Sequence, residues 1–573
     1  MEYFVFFATI GLLLLILALK GAWDARKLEK RFIQHLYEDY GKLPEREYKV
    51  ERFLRIDSYF KRHPKEGQID DITWNDLNMD EVFKRMNHTL SSTGEEYLYY
   101  TLRTPQMETL ALDEQEKMVE FFDTHPDERV KVQLLMRRLG TTGNYSLYDY
   151  LEYLGVLGKR SNVKIFALDL LLFGLIGFCF VNFSVGLFAI VALLVYNITN
   201  YYKEKKEIEP YITSFGYVMR LLDICDRVGK LTLPPCAKQQ EIIGSYKRKL
   251  AKMKQGSGWV LSGTSPSSGN PLEILGDYLN MALHIDIMFF NRMLAQLNQH
   301  LEDVDVLVTQ LGQMETAVCI AAYRHSMVNG WCKPEWRLGT MNLSDEISLS
   351  IEEGYHPLID EPVKNSIQTQ KGVLLTGSNA SGKSTFLKTV ALCAIMAQTI
   401  NTCPADRYEA CFFHICSSMA LRDDIDSGES YYIVEIKSLK RIIDQAGQCP
   451  MLCFVDEVLR GTNTVERIAA STQILRSLSK QNMICFAATH DIELTELLKD
   501  DYDNYHFEEE IRDGDIFFQY KLLSGKATTR NAIRLLEIMG YEEGIIAQAT
   551  ELAENFVKTG VWCLTDEATT GIL

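Results

Sequence analysis

The stretch that most constrains this chain is Gly377-Ser378-Asn379-Ala380-Ser381-Gly382-Lys383-Ser384. It matches G-x-x-x-x-G-K-[ST] and has the flanks that this pattern requires. Gly372 to Thr376 is a short apolar run fit for a buried strand, and Thr385 to Thr399 reads as an apolar helix. The glycines let backbone N–H groups close around an anion, and the helix N-terminus adds favourable partial charge. In that arrangement Lys383 reaches the β- and γ-phosphates of a nucleoside triphosphate, and the Ser384 hydroxyl sits on Mg²⁺. A chance glycine turn before a helix would not need both flanks, the lysine and the hydroxyl together. The sequence therefore predicts an α/β P-loop domain that binds ATP with Mg²⁺, with Thr385 completing the phosphate-binding stretch.

The surrounding pattern supports an α/β domain over residues 341–557. Leu452-Cys453-Phe454-Val455 and Ile484-Cys485-Phe486-Ala487 are continuous apolar runs, as central parallel strands require. Asp456-Glu457 ends the first run, at the carboxyl edge where α/β sheets place ligands. Asp456 suits Mg²⁺ and Glu457 suits polarising an attacking water, so Glu457 is predicted to be catalytic. Thr489-His490 ends the next run in the same register, which makes His490 a candidate for γ-phosphate contact and the second predicted catalytic residue. Asp423 to Ser430 contains a Ser-Gly-x-Ser turn that opens a helix over Tyr431 to Ala446. Ser427, Gly428 and Ser430 could bind phosphate there, or a serine could simply cap the helix. Asp513-Gly514 predicts a hairpin between 505–511 and 516–522, and Thr529 to Val557 a last helical stretch. Residues 558–573 read as a tail.

Two apolar blocks precede this domain, the first uncharged and the second carrying a single charge, Asp169, near the start of its first helix and so close to the interface. Tyr3 to Leu19 is long enough, at the short end, to span a bilayer. It lacks the basic start and the small-residue cleavage site of a signal peptide, so residues 1–20 read as a retained anchor. Residues 165–198 are too long for one span and suit a transmembrane hairpin turning at Asn182-Phe183-Ser184. Arg26, Lys27, Lys30 and Arg31 follow the first block; Lys159, Arg160 and Lys164 precede the second and Lys203, Lys205 and Lys206 follow it. By the positive-inside rule both blocks place everything large in the cytoplasm, so the sequence predicts a cell-membrane protein with a cytoplasmic ATPase domain. Residues 21–160 and 199–340 are helical in pattern, with Thr89 to Arg103 a helix that Pro105 stops. Breaks are expected near Leu233-Pro234-Pro235 and from Gly256 to Gly269.

The formal charge of −17 makes the whole chain a poor generic nucleic-acid binder, since that work rests on lysine and arginine neutralising phosphates. The thirteen cysteines include no C-x-x-C pair, and several lie in apolar runs, which points to a reduced compartment without a disulfide or zinc framework.

Taken in order, Gly377 to Thr385, Asp423 to Ser430, Asp456-Glu-Val-Leu-Arg-Gly-Thr-Asn-Thr464 and Ala488-Thr-His490 resemble the four ATPase motifs of MutS proteins. Glu353-Gly-Tyr-His-Pro357 resembles that family's segment leading into the nucleotide site, and residues 70–105 resemble the opening of its helical core. The resemblance implies an ABC-type ATPase preceded by an all-helical core, here with N-terminal transmembrane helices. It also implies a homodimer in which Ser427, Gly428 and Ser430 complete the partner's nucleotide site. DNA binding and mismatch repair are implied by the family name, yet only about seventy residues precede the core segment. Phe507-Glu508-Glu509 has the letters of the Phe-x-Glu mismatch wedge but lies inside the ATPase domain. A repurposed ATP-driven switch acting on membrane or protein partners is the alternative.

Overall fold

The computed structural model describes residues 20–562 apart from 22, 25, 157, 159, 255–277, 338–346, 379–380, 420–430, 447–448, 460–461, 481, 513–514 and 528–531. The expected span at 3–19, the tail from 563 onward and the Ser-Gly-x-Ser turn lie outside the described residues. The chain divides into two units, one of Met1–Glu66, Phe83–Arg103 and Leu110–Val328, the other of Gly67–Val82, Thr104–Thr109 and Asn329–Leu573. Residues 70–105, one segment in the sequence reading, are thus shared between them.

The first unit is helical. Its principal described helices are α1 (Ser92–Arg103), α2 (Val163–Phe178), α3 (Phe183–Val228), α4 (Ile285–Gln299) and α5 (Leu301–Ser326). The helix expected from Thr89 starts at Ser92, because the preceding backbone donors are taken by side chains. Thr89 N–H bonds Asn87 Oδ1 at 3.2 Å, and Leu90 N–H and Ser91 N–H bond Glu315 Oε1 at 2.5 and 3.2 Å. Ser91 Oγ then accepts from Gly94 N–H at 3.0 Å and caps the helix. The helices α1 and α5 approach closely because each offers a glycine: a Cβ on Gly94 would fall on the Glu315 carboxylate, and one on Gly312 on the Tyr97 ring.

The apolar hairpin forms as α2 and the first part of α3. Phe183–Glu209 is the one described helix long and apolar enough to cross a membrane, with a mean hydropathy of 1.8 and 11% of its apolar window buried. The first arm, α2, has sixteen residues, about 24 Å of helix, which is shorter than a typical hydrocarbon core of about 30 Å. Phe166, Leu170, Phe173, Phe180 and Phe188 are exposed. Further along, α3 turns into core: Phe215, Val218 and Leu221 are fully buried.

The second unit is built on a six-stranded sheet. Its strands are β4 (Gly372–Thr376), β6 (His414–Ser418), β7 (Met451–Asp456), β8 (Met483–Ala488), β9 (Tyr502–His506) and β12 (Leu523–Ser524). They lie in the order β12-β9-β4-β8-β7-β6, with β9 to β6 parallel and β12 antiparallel at the edge. The central strands β4, β7 and β8 are buried along nearly their whole length, which explains their unbroken apolar sequence. A second sheet joins β1 (Glu335–Trp336), β2 (Leu349–Gly354), β3 (Asn365–Thr369) and β5 (Arg407–Ala410) in the order β1-β5-β2-β3. Helices α6 (Lys383–Ile400), α7 (Tyr431–Gln445) and α8 (Thr464–Ser477) connect strands of the main sheet.

Two expectations are corrected. The strand read over 505–511 is two strands: Tyr505 and His506 end β9 in the main sheet, and β10 (Glu509–Arg512) pairs with β11 (Asp515–Phe518) as a separate hairpin. The stretch 529–557 is two helices, α9 (Ala532–Ile538) and α10 (Glu543–Thr559), parted at Gly540, whose φ of +80° a side chain would resist.

The outer edge of β6 is covered by the short helix Asp71–Asp76. Ser417 N–H donates to Thr73 Oγ1 at 3.0 Å, while Ser417 Oγ and Met419 N–H donate to Asp76 Oδ2 at 2.6 and 2.9 Å. Arg441 reaches Asp70 at 2.5 Å. An edge that would otherwise present unpaired backbone groups is closed by residues more than three hundred positions away in sequence.

Candidate nucleotide site

The P-loop leaves β4 at Gly377 and enters α6 at Lys383. Gly377 has φ +143°, and a Cβ there would lie 2.8 Å from the Phe507 carbonyl oxygen. Gly382 has φ +107° and caps α6 in a left-handed conformation. Both positions require glycine, as the motif predicts. The Lys383 ammonium donates to the Gly377 and Ser378 carbonyls at 2.8 and 2.7 Å, and its Nζ lies 3.5 Å from His490 Nε2. Its side chain therefore folds back over its own loop. Ser381 Oγ donates to the Ser378 carbonyl at 2.9 Å, bracing the turn. Asn379 and Ala380 lie outside the described residues.

The predicted acidic pair arrives beside this loop because β7 is the second neighbour of β4 in the sheet. Ser384 Oγ donates to Asp456 Oδ2 at 2.5 Å. Asp456 Oδ1 is buried and has no hydrogen-bond partner among the described residues. A buried carboxylate oxygen without a donor, next to a hydroxyl, fits a hard divalent cation with oxygen ligands. The donor set thus suits the Mg²⁺ expected from the sequence.

Glu457 follows in a left-handed conformation with φ +59°, an arrangement that costs a non-glycine residue energy and recurs at functional sites. Its N–H donates to the Ala488 carbonyl at 2.9 Å, which fixes the turn, and its carboxylate faces the cleft. Glu457 Oε1 lies 2.8 Å from His490 Nε2. His490 therefore stands between the P-loop lysine and the predicted base.

The cleft holds about 500 Å³ and is lined as well by Gly354, His356, Ile359, Pro362, Val363 and Tyr520. Gly354 and His356 belong to the Glu353–Pro357 stretch picked out in the sequence. Thr385 lines the cleft beside Ser384. One site residue escaped the sequence reading: Glu509 accepts from Ser378 Oγ at 2.9 Å and so ties the β10–β11 hairpin to the P-loop. No local pattern marks it, since its partner is 131 residues away. Ser427, Gly428 and Ser430 lie outside the described residues, and the Phe507 of the wedge-like triplet packs edge-on against Phe386, its ring centre 5.8 Å away.

Residues 373–557 match the family model for MutS domain V. The DNA mismatch repair protein MutS of Pseudothermotoga lettingae is 32% identical over 273 residues, which are 46% of this chain and 31% of that protein. The protein of the same name from Lactobacillus acidophilus is 28% identical over 284 residues, covering 47% of this chain and 32% of the relative. The one from Thermus thermophilus is 30% identical over 209 residues, covering 36% and 26%. The matched stretch spans about a third or less of the length of these curated relatives.

Proposed function

We propose that this chain, which carries a MutS domain V and belongs by it to the MutS family, is a Mg²⁺-dependent ATPase anchored in the cell membrane with its ATPase domain in the cytoplasm. The observation that carries the reading is that Lys383, Ser384 and Glu457 line one cleft and are joined there by Asp456, bonded to Ser384, and His490, which lies between Lys383 and Glu457. Residues of the P-loop backbone and Lys383 would hold the triphosphate, with Lys383 exchanging its two carbonyl partners for phosphate oxygens. Ser384 and Asp456 would hold Mg²⁺, which neutralises charge on the transferring phosphoryl group when bound. Glu457 takes the proton of an attacking water, and His490 keeps its carboxylate pointed at the cleft.

The family implies two copies closing on nucleotide, with Ser427, Gly428 and Ser430 reaching the partner's site. ATP would favour the closed dimer and hydrolysis the open one, and the difference would reach the helical unit as a change in population. DNA is the client that the relatives' names suggest. The exposed phenylalanines of the α2–α3 hairpin favour the second reading, a switch whose client is at the membrane.

The deciding experiment measures phosphate release and binding to homoduplex and mismatched DNA, with and without ATP, for the wild type and Lys383→Ala. ATP turnover lost in the variant supports the site. Turnover that survives Lys383→Ala sinks it. DNA binding that responds to ATP and prefers mismatches would make DNA the client; ATP turnover without DNA affinity at moderate salt would leave the membrane-side switch.

A further inference from the structure

We propose that Cys332 and Cys403 are a redox-modification site, closing reversibly into an intramolecular disulfide while the chain stays folded. The described cysteines are all free thiols, and most of them sit inside the sheet or between helices. This pair differs in its placement. The two residues face each other in an isolated antiparallel bridge and exchange both backbone hydrogen bonds, Cys332 N–H to the Cys403 carbonyl at 3.0 Å and Cys403 N–H to the Cys332 carbonyl at 2.9 Å. A hydrogen-bonded antiparallel pair of this kind sets its Cα atoms about 5.5 Å apart, within the range of about 4.4–6.8 Å that a disulfide spans. The two side chains are close enough that each shifts the ionisation of the other.

The chemistry of the two thiols is complementary. Cys332 is half-buried and within reach of solvent, whereas Cys403 is fully buried. The hydrogen bond from Cys403 holds the Cys332 thiol below its ordinary range, and burial pushes Cys403 well above it. Cys332 is thus the attacking thiolate and Cys403 the resolving thiol. With oxidised glutathione, the Cys332 thiolate attacks one glutathione sulfur, the glutathione S–S bond breaks and one glutathione thiolate leaves. Cys403 then gives up its proton and attacks the Cys332 sulfur. A second glutathione thiolate leaves, so the protein loses two thiol hydrogens and the oxidant gains two.

Other thiol neighbours lack this combination. Cys453 and Cys485 pair across β7 and β8 but are both wholly buried, which bars an oxidant. Cys393 lies against Cys403 and is buried as well, so it can compete only after Cys403 has opened. The site has structural consequence because Cys332 lies near the start of Asn329–Leu573, the last and longest segment of the second unit, and Cys403 follows the end of α6. The bond would fasten the entering chain to the far end of the helix that starts at the P-loop. Because a reduced cytosol keeps most thiols free, a disulfide here is transient and responds to oxidant.

The test titrates the full reduced chain with oxidised glutathione, quenches with an alkylating agent and maps disulfide-linked peptides by mass spectrometry. A Cys332–Cys403 link at least tenfold above any other internal link is expected. It should revert with dithiothreitol, vanish in Cys332→Ser and persist in Cys393→Ser. It should also form in Lys383→Ala, since it does not rest on nucleotide turnover. The proposal is overturned if Cys332 stays alkylatable or carries only glutathione while circular dichroism shows the chain folded. It is equally overturned if the link forms only in urea.

Discussion

Lys383 spends its three donors on its own loop and on the neighbourhood of His490, so a bound phosphate has to draw it away from two carbonyls. Removing the ammonium deletes the only charge the P-loop itself supplies, and Lys383→Ala should weaken ATP binding by about 100-fold or more. Fluorescence titration with a labelled nucleotide checks this. Glu457→Gln keeps the shape of the side chain but cannot take a proton. Turnover should fall about 100- to 10,000-fold while ATP affinity is little changed, a split that binding and phosphate-release assays on one preparation can resolve. These residues were legible in the sequence because each sits next to its own structural cue: glycines beside the lysine, apolar strand before the acids. Glu509 was not, because its role depends on a hairpin folding back to Ser378, and Asp513-Gly514 announces a turn without saying what the turn meets.

At the scale of elements, the contact of α1 with α5 depends on what two glycines leave out. Gly94→Ala would drive a methyl into the buried Glu315 carboxylate, and Gly312→Ala would drive one into the half-buried Tyr97 ring across the same contact. Each should cost about 1–3 kcal/mol, read as a lower urea midpoint with an unchanged slope. The same contact carries a pH dependence. Burial raises Glu96 and Glu315 to about 7, even though Glu96 meets Arg52 and Glu315 accepts from Leu90 and Ser91. Between the ordinary carboxylate range and about 7 the folded unit keeps protons that the unfolded chain has released, so stability falls as pH rises through that window and levels off above it. Glu315→Gln should make the loss of stability between pH 5 and 8 shallower by about 1–3 kcal/mol, measured by urea unfolding at both pH values. The helical pattern of α1 was readable from its apolar spacing and from Pro105. Its true start was not, because the donors of residues 90 and 91 are claimed by a glutamate 225 and 224 positions further on in the chain. The cover on β6 was hidden for the same reason, since Thr73 and Asp76 find their partners only in the folded unit.

At the scale of the molecule, the question is how much of the apolar hairpin belongs to a bilayer and how much to the helical unit. The base of the hairpin is clamped by polar side chains. Asn162 Nδ2 donates to the Met288 carbonyl at 3.1 Å, Asn197 Nδ2 to the Ala282 carbonyl at 2.9 Å, and the Tyr201 hydroxyl to Asp286 at 2.8 Å. Beyond that clamp the exposed side chains are almost all apolar, and a patch of this size on a water-facing surface would aggregate. The length of α2 leaves the first arm short, so a span would need local thinning of the bilayer or the turn at Asn182 drawn below the far interface. A shortened chain that replaces residues 166–194 with a tight polar turn keeps Asn162, Asn197 and Tyr201 and therefore keeps the clamp. It should melt within a few degrees of the parent, because the deleted part contributes few buried side chains. Any other anchor is left in place by this change. If the hairpin is embedded, lipid should protect it in the parent: limited proteolysis of membrane vesicles should leave an intact 165–198 fragment, which detergent makes cleavable. Cleavage at Phe180 or Phe183 in sealed vesicles, from the ATPase side and without detergent, would instead make the hairpin a protein-docking face outside the bilayer.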